Sequence, residues 1–370
     1  MKAAVLGIGR MGEAICYAMG ELGFEVVGID SNEHAVSSFR KHFKGPDGIF
    51  YATNQDDADK SMERALLFEM PDIVISSLPY HQTEEIAYWC ISNGLRYCDL
   101  GGRVDVSHAI DKEAEKSATK PVFTDLGLAP GWVNILAEQG AKEIHKTPDR
   151  ITMMVGGLPL SKVNHPLDYV ITWSVDGLIN EYKDDCEILS DGKIKTVEGM
   201  SGLETVDCGM LGSLEAFYTS GGASHTIHDM KERGVKNCHY KTLRYEGHRD
   251  IVRFLLRNSG DKCLREVFER GCQEDGGVGD LVIIKTLVEA GDISWKKELT
   301  VFHERESFSA MQKATAFPIS AVASLMAEGK LEGDKEQRRD YHTQYPRALT
   351  YKDVPFGEFN DKLRKLGIDT

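Results

Sequence analysis

The chain has 370 residues, with 44 Lys or Arg against 58 Asp or Glu, so its formal net charge is −14 at pH 7. Apolar residues make up 41% and charged residues 28%, a globular composition that excludes a disordered chain. The acidic balance argues against a nucleic-acid partner, which requires a basic surface. No apolar stretch reaches the ~18 residues of a membrane span.

The strand-like start at Met1 leaves no room for a signal peptide, so we expect a cytoplasmic protein. Its eight cysteines are expected to be reduced and to act as small buried apolar residues. Neither Cys-x-x-Cys nor His-Glu-x-x-His occurs, and no metal site is expected.

Short apolar runs alternate with amphipathic stretches over the first 125 residues. This alternation predicts parallel strands joined by crossover helices. Six strands at this spacing fit the doubly wound parallel sheet of a Rossmann dinucleotide-binding domain. The predicted strands are 3–7, 25–29, 48–51, 72–76, 96–99 and 121–124, and the predicted helices are 11–22, 58–69, 82–93 and 106–118.

The pattern changes after about residue 130. A helix is predicted at 132–145, and the strand-like runs that follow do not alternate regularly with helices. They favour an α+β domain on a mostly antiparallel sheet, with Ser190-Asp191-Gly192 as a hairpin turn. The runs are 150–155, 169–175, 187–189, 193–197, 205–208, 238–244, 281–289 and 297–303, with helices near 251–257 and 263–270.

A segment rich in Ala, Ser and Met at 308–328 predicts a helix that Pro318 kinks or restarts. We expect it to return to the first sheet and cover it. The chain length suggests two domains. The first is expected to comprise residues 1–129 with the returning helix, and the second 130–307 with an amphipathic tail at about 348–370.

A glycine-rich turn follows the first predicted strand and opens a helix, the context in which such a turn binds a dinucleotide. Its sequence is Gly7-Ile8-Gly9-Arg10-Met11-Gly12. Gly7 allows the tight turn, Gly9 the approach of a pyrophosphate, and Gly12 close packing of helix and strand. Arg10 and Met11 lie between these glycines, where the helix N-terminus faces the phosphates. The alternative is a glycine-rich joint without a ligand.

The second and fourth predicted strands supply further cofactor contacts. Asp30 ends the second strand, where its carboxylate can accept hydrogen bonds from both ribose hydroxyls and would repel a 2′-phosphate. This predicts NAD rather than NADP. The fourth strand leads into Ser77-Leu78-Pro79, a tight loop that we expect beside the cofactor.

Two aspartates, Asp99 and Asp125, end the fifth and sixth predicted strands, each followed by glycines. Near a nicotinamide, such a pair could hold a cationic amine or move protons. Capping the helices that follow is the alternative role, and the sequence leaves both open. Arg103 could bind a carboxylate as a bidentate fork or form a surface salt bridge.

Polar and aromatic residues concentrate in the second domain around Trp173 and Ser174, which are candidate substrate contacts. Arg244 and His248 straddle a turn after a strand, so their side chains could converge. A dehydrogenase for an amino acid needs an arginine for the carboxylate and a tuned base for the amine. Ordinary polar residues at strand ends are the alternative.

Over nearly its whole length the chain resembles the saccharopine dehydrogenase-like family. The most specific part of the resemblance combines Asp125-Leu126-Gly127-Leu128-Ala129-Pro130-Gly131 with Arg244-Tyr245-Glu246-Gly247-His248. The other matching segments are 5–12, 97–102, 172–182 and 214–222.

The resemblance implies a Rossmann domain, an α+β substrate domain and a homo-oligomer that is at least a dimer. It implies NAD-dependent oxidation of a carbon–nitrogen bond in a small amino-acid substrate, foremost oxidation of the lysine ε-amine to an imine and then the semialdehyde. The nicotinamide is expected near Pro130 and the substrate carboxylate at Arg244. Proton transfer is expected at Asp99, Asp125 or His248.

Two other hypotheses remain open. The first is a saccharopine-type reductase that forms or cleaves a secondary amine. Saccharopine-forming members carry an Asn-Arg-Asp run after the Phe217-Tyr218 segment, whereas this chain has Ser220-Gly221-Gly222-Ala223-Ser224 there, which favours a smaller substrate. The second is a catalytically silent NAD-binding sensor, against which the intact polar candidates argue.

Overall fold

The computed structural model describes residues 1–42, 48–52, 58–163, 167–273, 279–304, 308–331 and 348–370. The chain divides into two compact units. The first comprises Met1–Trp132 with Thr315–Thr370, and the second comprises Val133–Ala314.

A parallel seven-stranded sheet of order β15-β6-β5-β4-β1-β2-β3 forms the first unit and confirms the doubly wound fold. Residues Ala3–Leu6 of β1 are completely buried, as expected for a central strand with helices on both faces. The strands are β1 (Lys2–Leu6), β2 (Glu25–Asp30), β3 (Gly48–Ala52), β4 (Ile73–Ser76), β5 (Tyr97–Asp99), β6 (Val122–Phe123) and β15 (Ala348–Leu349).

Amphipathic helices join these strands. Tyr17 of the first helix stacks on Phe317 of the returning helix with ring centroids 6.3 Å apart. The returning helix runs through Pro318 without interruption. The helices of the first unit are α1 (Arg10–Glu21), α2 (Glu33–His42), α3 (Ala58–Glu69), α4 (Tyr80–Ser92), α5 (Val104–Ser117), the part of α10 (Ala310–Ala327) from Thr315 onward, and α11 (Phe356–Lys365). The helix α6 (Trp132–Glu143) belongs, after Trp132, to the second unit.

The tail at 348–370 lies in the first unit, so its predicted place in the second domain is wrong. Ala348 and Leu349 form a short parallel strand beside β6, and the sheet gains a seventh strand there. The helix α11 that follows buries Phe359 and Leu363. A two-residue strand carries too little periodicity to be recognised before its partner is known.

A second sheet, of order β10-β11-β12-β7-β13-β14, organises the other unit. The pairing of β12 with β7 is parallel and its other pairings are antiparallel, which confirms a mostly antiparallel sheet. The strands are β7 (Arg150–Pro159), β8 (Cys186–Ser190), β9 (Lys193–Val197), β10 (Glu204–Asp207), β11 (Ser213–Tyr218), β12 (Asn237–Tyr245), β13 (Asp280–Ala290) and β14 (Ile293–Phe302), with helices α7 (Val175–Lys183), α8 (Thr226–Glu232) and α9 (His248–Gly271).

The structure corrects the prediction for residues 169–175, which form no strand. Ser174 instead caps α7 and accepts a hydrogen bond from the Gly177 amide at 3.2 Å. The prediction also missed β11, in which the four consecutive residues Leu214–Phe217 are buried. The predicted hairpin turn is present, with positive φ at Asp191 and Gly192.

The two predicted helices near 251–257 and 263–270 are halves of α9, which changes direction at Gly260 (φ 72°). Its N-terminus is held by Glu215, which accepts hydrogen bonds from the amides of Gly247 (3.2 Å) and Arg249 (2.5 Å). In the described ranges, none of the helices combines the length and apolarity needed to cross a membrane. All eight cysteines are free thiols.

Candidate functional site

The glycine-rich turn between β1 and α1 has the geometry of a phosphate cradle. A Cβ at Gly12 would lie 1.8 Å from the carbonyl oxygen of Gly7, so only glycine allows this close packing. Gly7 has φ +83°, whereas a Cβ at Gly9 would meet nothing within 4 Å. Open space at Gly9 and the N-terminus of α1, which begins at Arg10, fit a pyrophosphate.

Asp30 and the loop after β4 flank this turn. The Asp30 carboxylate accepts hydrogen bonds from the amides of Ile8 (2.6 Å) and Asn32 (2.7 Å), which fix its orientation at the end of β2. Ser77 donates from its amide to Leu6 at 2.8 Å, and Leu78 lies against Gly7. Each Asp30 oxygen keeps a lone pair for a ribose hydroxyl.

Asp99 and Asp125 are brought together, as the strand order requires. One oxygen of Asp99, Oδ1, accepts from the amides of Gly101 (2.8 Å) and Asp125 (3.2 Å). Asp125 has φ +62° and accepts from the Ser107 hydroxyl at 2.7 Å. A Cβ at Gly101 would lie 2.2 Å from Asp125 Oδ1, so the glycine makes room for this carboxylate.

The electrostatics of Asp99 are unusual. Its side chain is almost fully buried, and Oδ2 accepts no hydrogen bond of ordinary geometry within the described part of the chain. Burial, and then the neighbouring charge of Asp125, raise the pKa of Asp99 from 3.8 to about 7. The two amide donors and the Tyr97 hydroxyl oppose the shift. A carboxyl group with a pKa near neutrality can exchange a proton in either direction.

Two other candidates of the first unit lie near this pair in sequence but have different surroundings. Arg103 is exposed and forms a bidentate pair with Asp105 at 2.8 and 2.9 Å, the surface salt bridge weighed above. Pro130 is half-buried and follows a cis peptide bond at Ala129.

In the second unit Arg244 and His248 are joined through Tyr182, a residue the sequence did not single out. Arg244 Nε donates to Tyr182 Oη at 2.7 Å, and Tyr182 Oη lies 3.0 Å from His248 Nε2. His248 Nδ1 lies 2.8 Å from the carbonyl oxygen of Leu167. We assign the ring proton to Nδ1, because a carbonyl can only accept, and the Tyr182 hydroxyl then donates to Nε2.

Two aromatic rings lie beside the Arg244 guanidinium. The Cζ of Arg244 lies 5.0 Å from the ring centroid of Tyr169 and 5.6 Å from that of Tyr182. The tyrosines and the charge of Glu181 raise the pKa of Arg244 although burial opposes this. Burial raises the pKa of Tyr169 to about 12, with Arg244 opposing. The cation is therefore permanent and fixed in direction.

The remaining candidates of the second unit have structural partners. Trp173 is half-buried and donates from Nε1 to Tyr169 Oη at 3.1 Å, which supports the ring that faces Arg244. Ser174 is exposed and acts as the cap of α7. No three His, Cys, Asp or Glu side chains converge as metal ligands would within the ranges that the structure describes.

Comparisons with known proteins assign the chain to a family. The saccharopine dehydrogenase NADP binding domain matches residues 3–124, and the saccharopine dehydrogenase C-terminal domain matches residues 127–337. The chain belongs to the saccharopine dehydrogenase family. These family models describe an oxidoreductase with a pyridine-nucleotide-binding domain, and they divide the chain between Thr124 and Gly127, directly after β6.

Curated members of the saccharopine dehydrogenase family match part of the chain. Saccharopine dehydrogenase [NADP(+), L-glutamate-forming] of Schizosaccharomyces pombe is 24% identical over 191 residues, which cover 50% of this chain. Mitochondrial alpha-aminoadipic semialdehyde synthase of Bos taurus is 26% identical over 212 residues, which cover 55% of this chain. The matches span only 42% and 22% of those relatives' own lengths.

A solved structure shares the fold over the full length. Saccharopine dehydrogenase (L-Glu forming) from Saccharomyces cerevisiae superimposes with a TM-score of 0.73 at 15% identity, covering 99% of this chain and 98% of that one. At this identity the match establishes the saccharopine dehydrogenase fold alone.

Sequence reasoning missed Tyr182 and Tyr169 of this family member as site candidates. Tyr182 lies on the buried face of α7 with Leu178 and Ile179, so helical spacing indicated its burial. Its bond to Arg244 joins positions 62 residues apart, and no local pattern predicts that pairing.

Proposed function

We propose that the protein is an NAD-dependent amino-acid dehydrogenase that oxidises the ε-amine of L-lysine, a lysine 6-dehydrogenase. The observation that carries this proposal is Asp99, a buried carboxyl group with a pKa of about 7 beside Asp125. It lies at the carboxyl edge of the nucleotide-binding sheet, where ligands of such sheets bind.

The first unit supplies the groups for proton transfer. The ε-ammonium of lysine must lose a proton before its carbon can lose a hydride, and the Asp99–Asp125 pair takes that proton, with Asp99 as the group that holds it. Bound NAD supplies the hydride acceptor. The substrate carbon becomes an iminium group, and water hydrolyses it to the semialdehyde and ammonium.

The second unit supplies substrate recognition. Arg244 is a permanent cation with planar geometry suited to a carboxylate, and Tyr182 and Tyr169 hold its plane. His248 has a partner on each ring nitrogen and is 1% exposed. We therefore assign His248 to positioning Tyr182 and Arg244 rather than to proton transfer with the substrate.

The proposal specifies NAD although the fungal relatives carry NADP in their names. Asp30 supports this choice, because a fixed carboxylate at the end of β2 favours ribose hydroxyls and repels a 2′-phosphate.

A saccharopine-cleaving or saccharopine-forming reaction is the second candidate, and the printed names of the relatives favour it. Both reactions oxidise or reduce a carbon–nitrogen bond, so the proton-handling role of Asp99 serves either one. The run Ser220-Gly221-Gly222-Ala223-Ser224 supports the smaller substrate.

The test is NADH formation at 340 nm by the purified full chain with NAD or NADP against L-lysine, ornithine, saccharopine and diaminopimelate. Turnover with lysine and NAD alone supports the proposal. NADH formation from saccharopine alone, or NADH consumption only with lysine and a 2-oxoacid together, supports the second candidate. NAD binding without turnover of any amine would contradict both candidate reactions and support the hypothesis of an NAD-binding sensor.

A further inference from the structure

Glu181 is a carboxylate next in sequence to Tyr182, the residue that links Arg244 and His248. It precedes Tyr182 on α7 and is half-buried. One carboxylate oxygen, Oε1, accepts hydrogen bonds from the hydroxyls of Thr242 and, at 3.0 Å, Thr219. Those hydroxyls lie 2.7 Å apart. Two neutral donors on one oxygen fix the direction of the carboxylate and leave Oε2 to accept another donor.

The strand β12 and the helix α7 place the Arg244 cation and the Glu181 carboxylate at one face of the sheet. Thr242 and Arg244 are two residues apart on β12, so their side chains share that face. The carboxyl end of α7 is tied to the chain after β11, where the Ser220 amide donates to the Glu181 carbonyl at 3.0 Å and its hydroxyl to Asn180. Glu181 is therefore held by its backbone as well as by its side chain.

Arg244 and Glu181 do not pair with each other. The guanidinium donates to Tyr182 and to the Leu243 carbonyl, whereas the carboxylate accepts from the two threonines. Their charges nonetheless interact, since the charge of Glu181 contributes to the raised pKa of Arg244. A carboxylate needed only to neutralise the buried arginine would form a direct ion pair. Here the two opposite charges are held apart by their separate partners.

We propose that Glu181 binds the α-ammonium group of the substrate while Arg244 binds its α-carboxylate. The inference deepens the proposed function and rests on its assignment of Arg244. It makes the ligand class an α-amino acid recognised through its zwitterionic head group, with the reacting amine elsewhere on the side chain. Lysine and saccharopine share that head group, so the inference holds for either reaction.

The test measures binding rather than turnover. Norleucine has the lysine skeleton and head group without the ε-amine, hexanoate also lacks the α-ammonium, and pentylamine keeps only an amine. We expect wild-type protein with NAD to bind norleucine at least about tenfold more tightly than either other probe by calorimetry, since a hydrogen bond to a charged group contributes ~1.5–3 kcal/mol. Glu181→Gln should weaken the binding of norleucine about tenfold or more and leave the affinity for hexanoate unchanged.

Glu187→Gln is the matched control, because Glu187 is an exposed carboxylate of the same unit that pairs with His228 at 2.8 Å. It should leave all three affinities unchanged. Equal binding of norleucine and hexanoate by wild-type protein would overturn the inference, and this comparison needs no variant. Unchanged norleucine affinity in Glu181→Gln would also overturn it, since Glu181 would then make no contact with the α-ammonium group.

The two proposals fail in different ways. If no amine is oxidised but norleucine binding depends on Glu181, the proposed reaction is wrong and the head-group site stands. If lysine is oxidised but Glu181→Gln leaves norleucine affinity unchanged, the reaction stands and the head-group assignment is wrong.

Discussion

The two units bury charge in opposite ways. In the first, Asp99 lies beside a second carboxylate with one oxygen lacking an ordinary hydrogen bond, and its pKa rises to about 7. In the second, Arg244 is equally buried but has Tyr182, a backbone carbonyl and two aromatic faces around it, and its pKa rises above an already high value. One group is set to change its charge, and the other is set to keep it.

Burial by itself therefore does not identify a reactive group. The difference lies in how far each charge is compensated. A buried carboxyl group whose hydrogen bonds do not offset burial favours its neutral form, whereas a fully compensated guanidinium stays charged. The comparison assigns chemistry to the Asp99–Asp125 pair and fixed recognition to Arg244, Tyr182 and His248. The following changes test that division.

The largest effect is expected from Asp99→Asn, which should lower kcat by about 10²–10⁴-fold by removing a proton acceptor. NAD affinity should be unchanged, as measured by fluorescence titration. Because the pKa of Asp99 is raised in the folded state, the wild-type protein should lose stability as the pH rises from about 4 to about 7. The Asn variant does not titrate there, so its Tm should increase relative to that of wild type over the same range. Full activity with a lower Tm would show that Asp99 only stabilises the loops of Gly101 and Asp125 and takes no part in proton transfer.

Arg244→Lys should raise KM for lysine about 10–100-fold with a smaller change in kcat, because a point charge replaces a planar fork and loses ~1.5–3 kcal/mol of charged hydrogen bonding. Steady-state kinetics at saturating NAD measures this. Arg257→Lys is the matched control, since Arg257 is exposed and pairs with Glu198. An unchanged KM would remove Arg244 from substrate recognition.

Asp30→Ser should weaken NAD binding about tenfold, because the ribose loses a charged acceptor worth ~1.5 kcal/mol or more. It should strengthen NADP binding, because the carboxylate no longer repels the 2′-phosphate. The ratio of kcat/KM values for the two cofactors measures both changes within one preparation. A wild-type protein that prefers NADP would contradict the reading of Asp30 outright.

The smallest effect on activity is expected from His248→Gln, which keeps an acceptor near the Nε2 position. We expect kcat/KM to fall less than about tenfold, since the lost hydrogen bonds are neutral and contribute ~0.5–1.5 kcal/mol each. The effect should appear in KM, with kcat nearly constant. A fall in kcat comparable to that of Asp99→Asn would make His248 a participant in proton transfer and cancel the division between the units.

The sequence predicted the framework of the first unit because its signals are local. Gly12 packs on Gly7 within one turn, and the central strands β1, β2 and β4 are apolar runs of the length expected. The convergence of Asp99 and Asp125 also followed, since both end neighbouring strands. The position of β15 depended on a partner more than 200 residues away, and two residues carry no pattern of their own.

In the second unit, local patterns were less informative. Residues 169–171 are apolar and buried but form no strand, since a buried segment without strand pairing can have the same composition. Arg244 and His248 were candidates from the sequence, whereas Tyr182, which lies within hydrogen-bond distance of both, is on α7 and was not. The roles followed only when the hydrogen-bond partners of each charge were known.

The pH dependence of kcat/KM for lysine, in wild type, Asp99→Asn and His248→Gln, tests the central claim most directly. The charged form of Asp99 accepts the proton, so wild-type kcat/KM should rise with pH through about 7 and then level off. The same rise should persist in His248→Gln and be absent from the residual activity of Asp99→Asn. A rise near pH 7 that survives in Asp99→Asn and disappears in His248→Gln would contradict the account.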